Sequence, residues 1–404
     1  MKYFICNIHW KNRGDEAAIR AMAESIYDRD QEAEIVIVDN GIDKPEQIKQ
    51  YFKDKKMIVL QEYPARKNYL ELIIPYITKG KVVFGKQAKQ FCKHMMESDV
   101  VIHGPGGPSI GELYKRGESR YITRLRLALR FGKKIFFYAP SAGPFETKFA
   151  NIFRRSLYKK ASGIVVREEQ SKKYLEQLGI NGVIVATDSA LQKEIDKEKY
   201  KKKFQEMTDV IQFVGDGKKV IGLTITDLKW HAVYKDNHEL ADRINTTFVE
   251  FLRYLDKIGY KALFIPQKFE STSLDYSYMC DVAKRAGTEN IMVMPDTYCS
   301  YMQQYVISLL HMVVGMRYHS NIFAYKMKTP FVSIAYEHKM TGFMKIIGRE
   351  ENCIWVNDLN IDLLKEKFEK IDSNYPQEKQ VLEKEYENVI ERAKITTNQL
   401  FDIL

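Results

Sequence analysis

Arg317, His319 and Lys339 fall within one short stretch, residues 311–348 (HMVVGMRYHSNIFAYKMKTPFVSIAYEHKMTGFMKIIG), and together they could bind a small dianion and move a proton on it. A guanidinium and an ammonium are permanent cations that match carboxylate and phosphate oxygens. An imidazole titrates near neutral pH and serves as general acid or general base. Glu337 lies close by and pulls the other way: the cations lower the imidazole pKa, a carboxylate raises it.

The elements that must position these residues are legible around them. Residues 312–314 are a short apolar run that meets Gly315. Ile322, Phe323 and Met327 then recur at helical spacing until Thr329 and Pro330 stop them, and residues 331–335 form a second apolar run. This predicts a βαβ unit. Ligands of open α/β sheets sit at the carboxyl ends of strands, where Arg317, Tyr318 and His319 follow the first strand and Glu337, His338 and Lys339 the second. The helix start adds free N–H groups that favour an anion. Taken singly, an arginine that caps carbonyls or a histidine that merely begins a helix is the more ordinary role. Joint placement at adjacent strand ends favours an anion site.

The rest of the chain repeats the alternation. Residues 3–8 are a first strand, followed by the turn Asn12-Arg13-Gly14-Asp15, with Asp15 as N-cap of a helix marked by Ala18, Met22 and Ile26. A place for Asp15 at a cleft rim stands beside the capping role. No G-x-G-x-x-G follows, so a dinucleotide is not indicated. Strands are predicted at 34–38, 57–60 and 99–102, the last running into Gly104-Pro105-Gly106-Gly107-Pro108. Gly106 and Gly107 let backbone approach a ligand, or simply make a tight connection. Further strands span 134–138, 163–166 and 183–186. Arg167 stands at the carboxyl end of the second of these, a position where a lone arginine is more often a surface ion-pair partner.

The lysine-rich segment 192–219 separates a second βα half, with strands at 219–226, 261–265, 291–294 and 353–356 around the opening stretch and helices at 237–258, 276–285 and 298–310. Residues 363–404 are helix-compatible throughout. The expected organisation is α/β: an N-terminal domain over 1–200 on the acceptor side, a C-terminal domain over 218–380 on the donor side, and a long helical segment over 381–404 that packs back on the first.

Length and composition agree. A chain of 404 residues suggests two domains of about 150–200 residues each. Its 45% apolar and 29% charged residues are those of a soluble globular protein. No stretch reaches the ~18 uninterrupted apolar residues of a membrane span, and the N-terminus reads as a strand and not as a signal peptide. Five scattered cysteines without a C-x-x-C pair indicate a reducing, cytoplasmic setting and no metal site. The net charge of +10 admits nucleic acid, an anionic membrane surface or phosphorylated substrates. Nucleic acid is set aside, because runs such as KEIDKEKYKKK (193–203) interleave acids and no binding motif occurs.

Several of these motifs together resemble the polysaccharide pyruvyltransferases. They are Asn12-x-Gly14-Asp15-Glu16, the Gly104–Gly107 turn, Arg167-Glu168-x-x-Ser171, Asp188, Gly315-x-Arg317-x-His319-x-x-x-x-Ala324, Thr329-Pro330 and Tyr336-x-x-Lys339-x-x-Gly342-Phe343. The resemblance implies a GT-B fold, two Rossmann-like domains facing a cleft. It implies transfer of pyruvate from phosphoenolpyruvate to two hydroxyls of one sugar, with Arg167, Arg317 and Lys339 binding the donor and His319 catalytic. No cofactor is implied. The acceptor would be a cell-surface glycan or its lipid-linked precursor, with the enzyme at the inner face of the membrane. This chain departs from the family at 104–108, where a proline interrupts a usual run of three glycines. Two other readings compete: a nucleotide-sugar glycosyltransferase of the same architecture, and a non-catalytic phosphate-binding scaffold.

Overall fold

The computed structural model describes residues 1–10, 12–39, 46–63, 69–113, 115–270 and 273–404. It divides into two compact units: residues 1–11, 18–193 and 391–404 in the first, and 12–17 with 194–390 in the second. These bounds differ from the expected domains. The main stretch of the first unit stops at Lys193, the terminal stretch that joins it starts at Glu391, and the short segment 12–17 belongs with the second.

The first unit is a parallel seven-stranded sheet of β1 (Lys2–Ile8), β2 (Glu34–Asp39), β3 (Lys56–Leu60), β4 (Val100–His103), β5 (Lys134–Tyr138), β6 (Gly163–Val166) and β7 (Ile184–Val185). Its order is β3-β2-β1-β4-β5-β6-β7. The strands read as unbroken apolar runs because helices cover both faces. Alternate residues enter different cores: Phe4, Cys6, Ile135 and Phe137 join one, Tyr3, Ile5, Phe136 and Tyr138 the other. The second core also takes Leu400 from the terminal segment, and Gln192 Nε2 donates to the Ala393 carbonyl there at 2.9 Å.

The second unit holds a parallel six-stranded sheet made by β8 (Val220–Thr224), β9 (Lys261–Phe264), β12 (Ile291–Val293), β13 (Met312–Gly315), β14 (Phe331–Ala335) and β15 (Cys353–Trp355), in the order β12-β9-β8-β13-β14-β15. An antiparallel hairpin of β10 (Phe269–Glu270) and β11 (Ser273–Leu274), absent from the sequence reading, leads into the helix Asp275–Ala286. In each sheet the chain leaves the middle strand, builds outward on one side, then crosses to the other. The switch points lie between β1 and β4 and between β8 and β13.

Two expected elements are corrected. Asp15 is not an N-cap: the helix Arg13–Arg29 starts earlier, and Asn12 Oδ1 accepts the Gly14 N–H at 2.8 Å, leaving Asp15 inside the first turn. The long C-terminal segment is three helices, Ile361–Ser373, Tyr375–Lys384 and Tyr386–Asp402. Pro376 explains the first break, since proline fits the first turn of a helix and not its interior. No helix among the described residues is long and apolar enough to cross a membrane.

Candidate active site

In the second unit the candidate residues Arg317, His319, Glu337 and Lys339 lie just past the carboxyl ends of β13 and β14, beside the β8/β13 switch point. The turn after β13 is held by its own side chains. Met316 N–H donates to the Thr224 carbonyl at 2.8 Å, the Ser320 hydroxyl donates to the Arg317 carbonyl at 2.6 Å, and Asn321 Nδ2 reaches Ser333 Oγ on β14 at 2.8 Å. Gly315 must lack a side chain, because a Cβ there would lie 1.9 Å from Asn321 Oδ1. This packing sets Arg317 in an extended conformation as N-cap of the helix Tyr318–Lys326.

Arg317 is buried, and its Nε and Nη2 donate to the two carboxylate oxygens of Asp275, the former at 3.2 Å. Asp275 also accepts the backbone N–H groups of Gln267 and Lys268, at 3.2 and 3.0 Å. The guanidinium lies 5.1 Å from the ring centre of Trp230, whose Nε1 donates to Thr226 Oγ1 at 2.9 Å. Burial alone would favour a neutral Arg317. The Asp275 charge and the Tyr336 hydroxyl outweigh it and hold the pKa above the ordinary arginine value.

At the end of β14, Glu337 occupies the N-cap position of the helix His338–Ile346. Lys339 Nζ lies 2.7 Å from Glu337 Oε2, and His231 Nε2 lies 3.1 Å from Oε1. His231 Nδ1 accepts the Val233 N–H at 3.2 Å, so Nε2 carries the proton and donates to the carboxylate. Burial would raise the Glu337 pKa, but Lys339 and His231 overcome it and keep the carboxyl well below the usual range. Tyr336 ties the group together. Burial pushes its hydroxyl pKa up, Arg317 and Lys339 pull it down, and Glu337 pushes it up again, so both cations act on one phenol.

His319 follows Tyr318 in the same helix start, its ring edge-on to that phenol at 5.0 Å. Its other side meets Gly14: a Cβ at position 14 would fall 1.9 Å from Nδ1 of the imidazole. Gly14 is therefore a glycine because His319 fills the space a side chain would need. The segment that carries it is fastened within the second unit. Arg13 N–H donates to the Gln267 carbonyl at 2.9 Å, and the buried Glu16 carboxylate accepts from Arg13 Nη1 at 2.6 Å and from Ser300 Oγ at 2.9 Å.

Arg167 and the glycine turn belong to the first unit. Arg167 is almost wholly inside the protein, donating to Ser141 Oγ at 2.9 Å and Asp188 Oδ2 at 2.8 Å, with Glu168 Oε2 3.5 Å from its Nε. It ties the ends of β5 and β6 to the turn after β7, between two carboxylates. Gly106 has φ 152°, a conformation that favours glycine, and its carbonyl accepts the Ser141 N–H at 3.1 Å. The Gly107 carbonyl accepts the Ser109 N–H at 2.7 Å. Gly106 thus makes a close backbone connection to the segment after β5, and Gly107 closes a bond within its own turn.

His103, just before this turn, is the last residue of β4 and is buried, with Nε2 3.0 Å from Ser109 Oγ. Burial drives its pKa from 6.5 to about 3. The folded protein keeps His103 neutral while the unfolded chain takes a proton below pH 6.5. Stability therefore falls with pH across the window between those values, by about 1.4 kcal/mol per unit from this group alone. Denaturation midpoints measured from neutral to acid pH are expected to show a slope that His103→Gln flattens.

Sequence reasoning passed over Asp275, Trp230 and His231. A signal existed for the last two, which lie a few residues past the carboxyl end of β8, the strand flanking the switch point. Asp275 had none, because its helix begins after an unforeseen hairpin.

The family model described as "Polysaccharide pyruvyl transferase" matches residues 12–338, so Lys339 lies just beyond the matched stretch. The amylovoran biosynthesis protein AmsJ of Erwinia amylovora is 23% identical, over 96% of this chain and 95% of that protein. Among solved structures, UDP-GlcNAc 2-epimerase from Neisseria meningitidis bound to UDP-GlcNAc aligns over 100% of both chains, with a TM-score of 0.63 at 12% identity. A glycosyltransferase from Rickettsia africae ESF-5 aligns over 100% of this chain and 97% of its own, with a TM-score of 0.62 at 11% identity. At such identities the likeness concerns the fold, which is GT-B-like.

Proposed function

Because the chain belongs to the polysaccharide pyruvyl transferase family, we propose that it moves pyruvate from phosphoenolpyruvate onto two hydroxyls of one sugar, closing a cyclic ketal and releasing phosphate. The protein is a transferase of polysaccharide synthesis. The reading is carried by the placement of Arg317 and Lys339 about Tyr336 at neighbouring strand ends, with His319 in the same helix start as Tyr318.

Each cation already has a buried carboxylate, so Arg317, Asp275, Lys339 and Glu337 sum to no net charge. The acids hold the cations in position, and the donor's carboxylate and phosphate engage N–H groups that Asp275 and Glu337 do not take. In the reaction one sugar hydroxyl gives up its proton as its oxygen bonds to C2 of the donor, while C3 takes a proton and becomes a methyl group. The C2–O bond to phosphate then breaks with its electron pair, and the second hydroxyl bonds to C2 and gives up its proton. His319 carries the proton at one of these steps, and the cations stabilise charge on the departing phosphate. Arg167, enclosed by Asp188 and Glu168, serves as a cross-link in this account.

The acceptor is a cell-surface glycan or its lipid-linked precursor, met at the inner membrane face. Thermal denaturation with added ligands tests the donor: phosphoenolpyruvate should raise the midpoint in proportion to the logarithm of its concentration. A rise with a UDP- or GDP-sugar and none with phosphoenolpyruvate would assign the protein to glycosyl transfer instead.

A further inference from the structure

We propose that the first unit docks on an anionic lipid bilayer through one face formed by the helices Ile73–Thr78, Lys115–Arg130 and Lys148–Tyr158. Among the described residues, nine of the fifteen exposed large hydrophobic side chains lie on the first and third of these helices or within six residues after the first: Ile73, Ile74, Tyr76, Ile77, Val82, Phe84, Phe149, Ile152 and Phe153. Ile77, Phe84, Phe149 and Ile152 are 65, 63, 71 and 63% exposed, values that core-forming residues do not show. Scattered exposed apolar residues need no explanation, but a cluster does.

The cluster is continuous. The helix Lys115–Arg130 packs against both of the others. Arg130 donates from Nε to the Tyr76 carbonyl at 2.9 Å and lies 5.6 Å from the Tyr76 ring, while Arg126, one turn earlier, lies 5.0 Å from the Phe153 ring. Phe153 in turn meets Phe149 edge to face at 5.4 Å. Two arginines on a central helix thus bridge the two apolar flanks.

The charge along the segments that carry these side chains is mostly positive, with the exposed acids Glu71, Glu97 and Glu146 at their ends and Arg154 buried against Glu112 and Glu118. Residues 73–96 contain Lys79, Lys81, Lys86, Lys89 and Lys93 and no acid, and residues 147–167 contain five lysines and arginines before Arg167 and no acid. Apolar side chains that enter the acyl boundary, fringed by cations that meet anionic headgroups, are the two signals a peripheral membrane protein needs. The inference does not rest on the donor chemistry; it explains how a chain without a membrane-spanning helix among its described residues could meet a lipid-linked acceptor.

Flotation of the full chain with vesicles of phosphatidylcholine, with and without phosphatidylglycerol, tests it. Wild type is expected to float with the anionic vesicles and to be released as salt rises. The combined variant Ile77→Ser, Phe84→Ser, Phe149→Ser, Ile152→Ser should bind at least about tenfold more weakly, as should Lys81→Glu with Lys86→Glu. A control pair remote from this face in sequence and also exposed, Val233→Ser with Val381→Ser, should bind as wild type. Circular dichroism verifies that each variant is folded, and Phe84→Ser alone, expected to weaken binding less, serves if the combined variant is not. Wild type that ignores anionic vesicles, or a folded serine variant that binds them fully, overturns the proposal. So does a self-associated wild type that the serine variant separates while neither form floats, which would assign the face to a second copy of the chain.

Discussion

His319→Ala is expected to lower acceptor-dependent phosphate release by about 10²–10⁴-fold while phosphoenolpyruvate affinity changes only a few-fold. That range is what a positioned general acid or base contributes. The two effects separate because the proposed donor anchors, Arg317 and Lys339, keep Asp275 and Glu337 in the variant. The space vacated beside Gly14 is a small cavity at the start of a helix, and the helix itself is secured by Ser320 and Asn321. Turnover in steady state and binding by calorimetry measure the two quantities. Turnover within a few-fold of wild type would remove His319 from the chemistry.

The largest effect on stability is expected from Asp275→Ala. Arg317 would be left buried without its carboxylate, and the Gln267 and Lys268 N–H groups would lose their acceptor. Breaking one side of a buried ion pair costs about 3–5 kcal/mol, most of it the penalty of the charge left behind. Asp275→Asn, which retains an acceptor oxygen for the backbone groups, should cost less. Denaturant titration of the three proteins provides the comparison. A loss below about 1 kcal/mol for the alanine variant would mean that water or another acid takes over the guanidinium, and that Asp275 does not hold it.

Much of the architecture was readable beforehand because a strand buried on both faces is an apolar run whatever surrounds it. Residues 312–314 and 331–335 announced β13 and β14, and Gly315 announced the turn between strand and helix. Pairings remote in sequence were not readable. Asp275 is 42 residues from Arg317, and His231 is 106 residues from Glu337, so no local pattern could join them. A cation at a strand end looks the same whether it faces a ligand or is enclosed. Arg167 matches Arg317 in sequence setting, and both are buried against carboxylates, Asp188 and Glu168 in one case and Asp275 in the other.

The helix start at Arg13 shows the same limit on a smaller scale. Asn12 and Asp15 are both good caps, and the packing of Gly14 against His319 fits the earlier one. The breaks at the C-terminus divide by cause. Pro376 marked one in the sequence, whereas the break at Glu385 has no residue that requires it.

The cluster of Arg317, Lys339 and His319 is proposed to serve a phosphoenolpyruvate-dependent ketal transfer. Nuclear magnetic resonance of a reaction containing phosphoenolpyruvate labelled with carbon-13 at C3, and a glycan acceptor from the producing cell, addresses it directly. The account predicts that the vinyl signal gives way to a methyl group bonded to a quaternary ketal carbon on the sugar, with one phosphate released per label transferred. A vinyl signal that persists with every such acceptor, or label that appears only as free pyruvate, would contradict it.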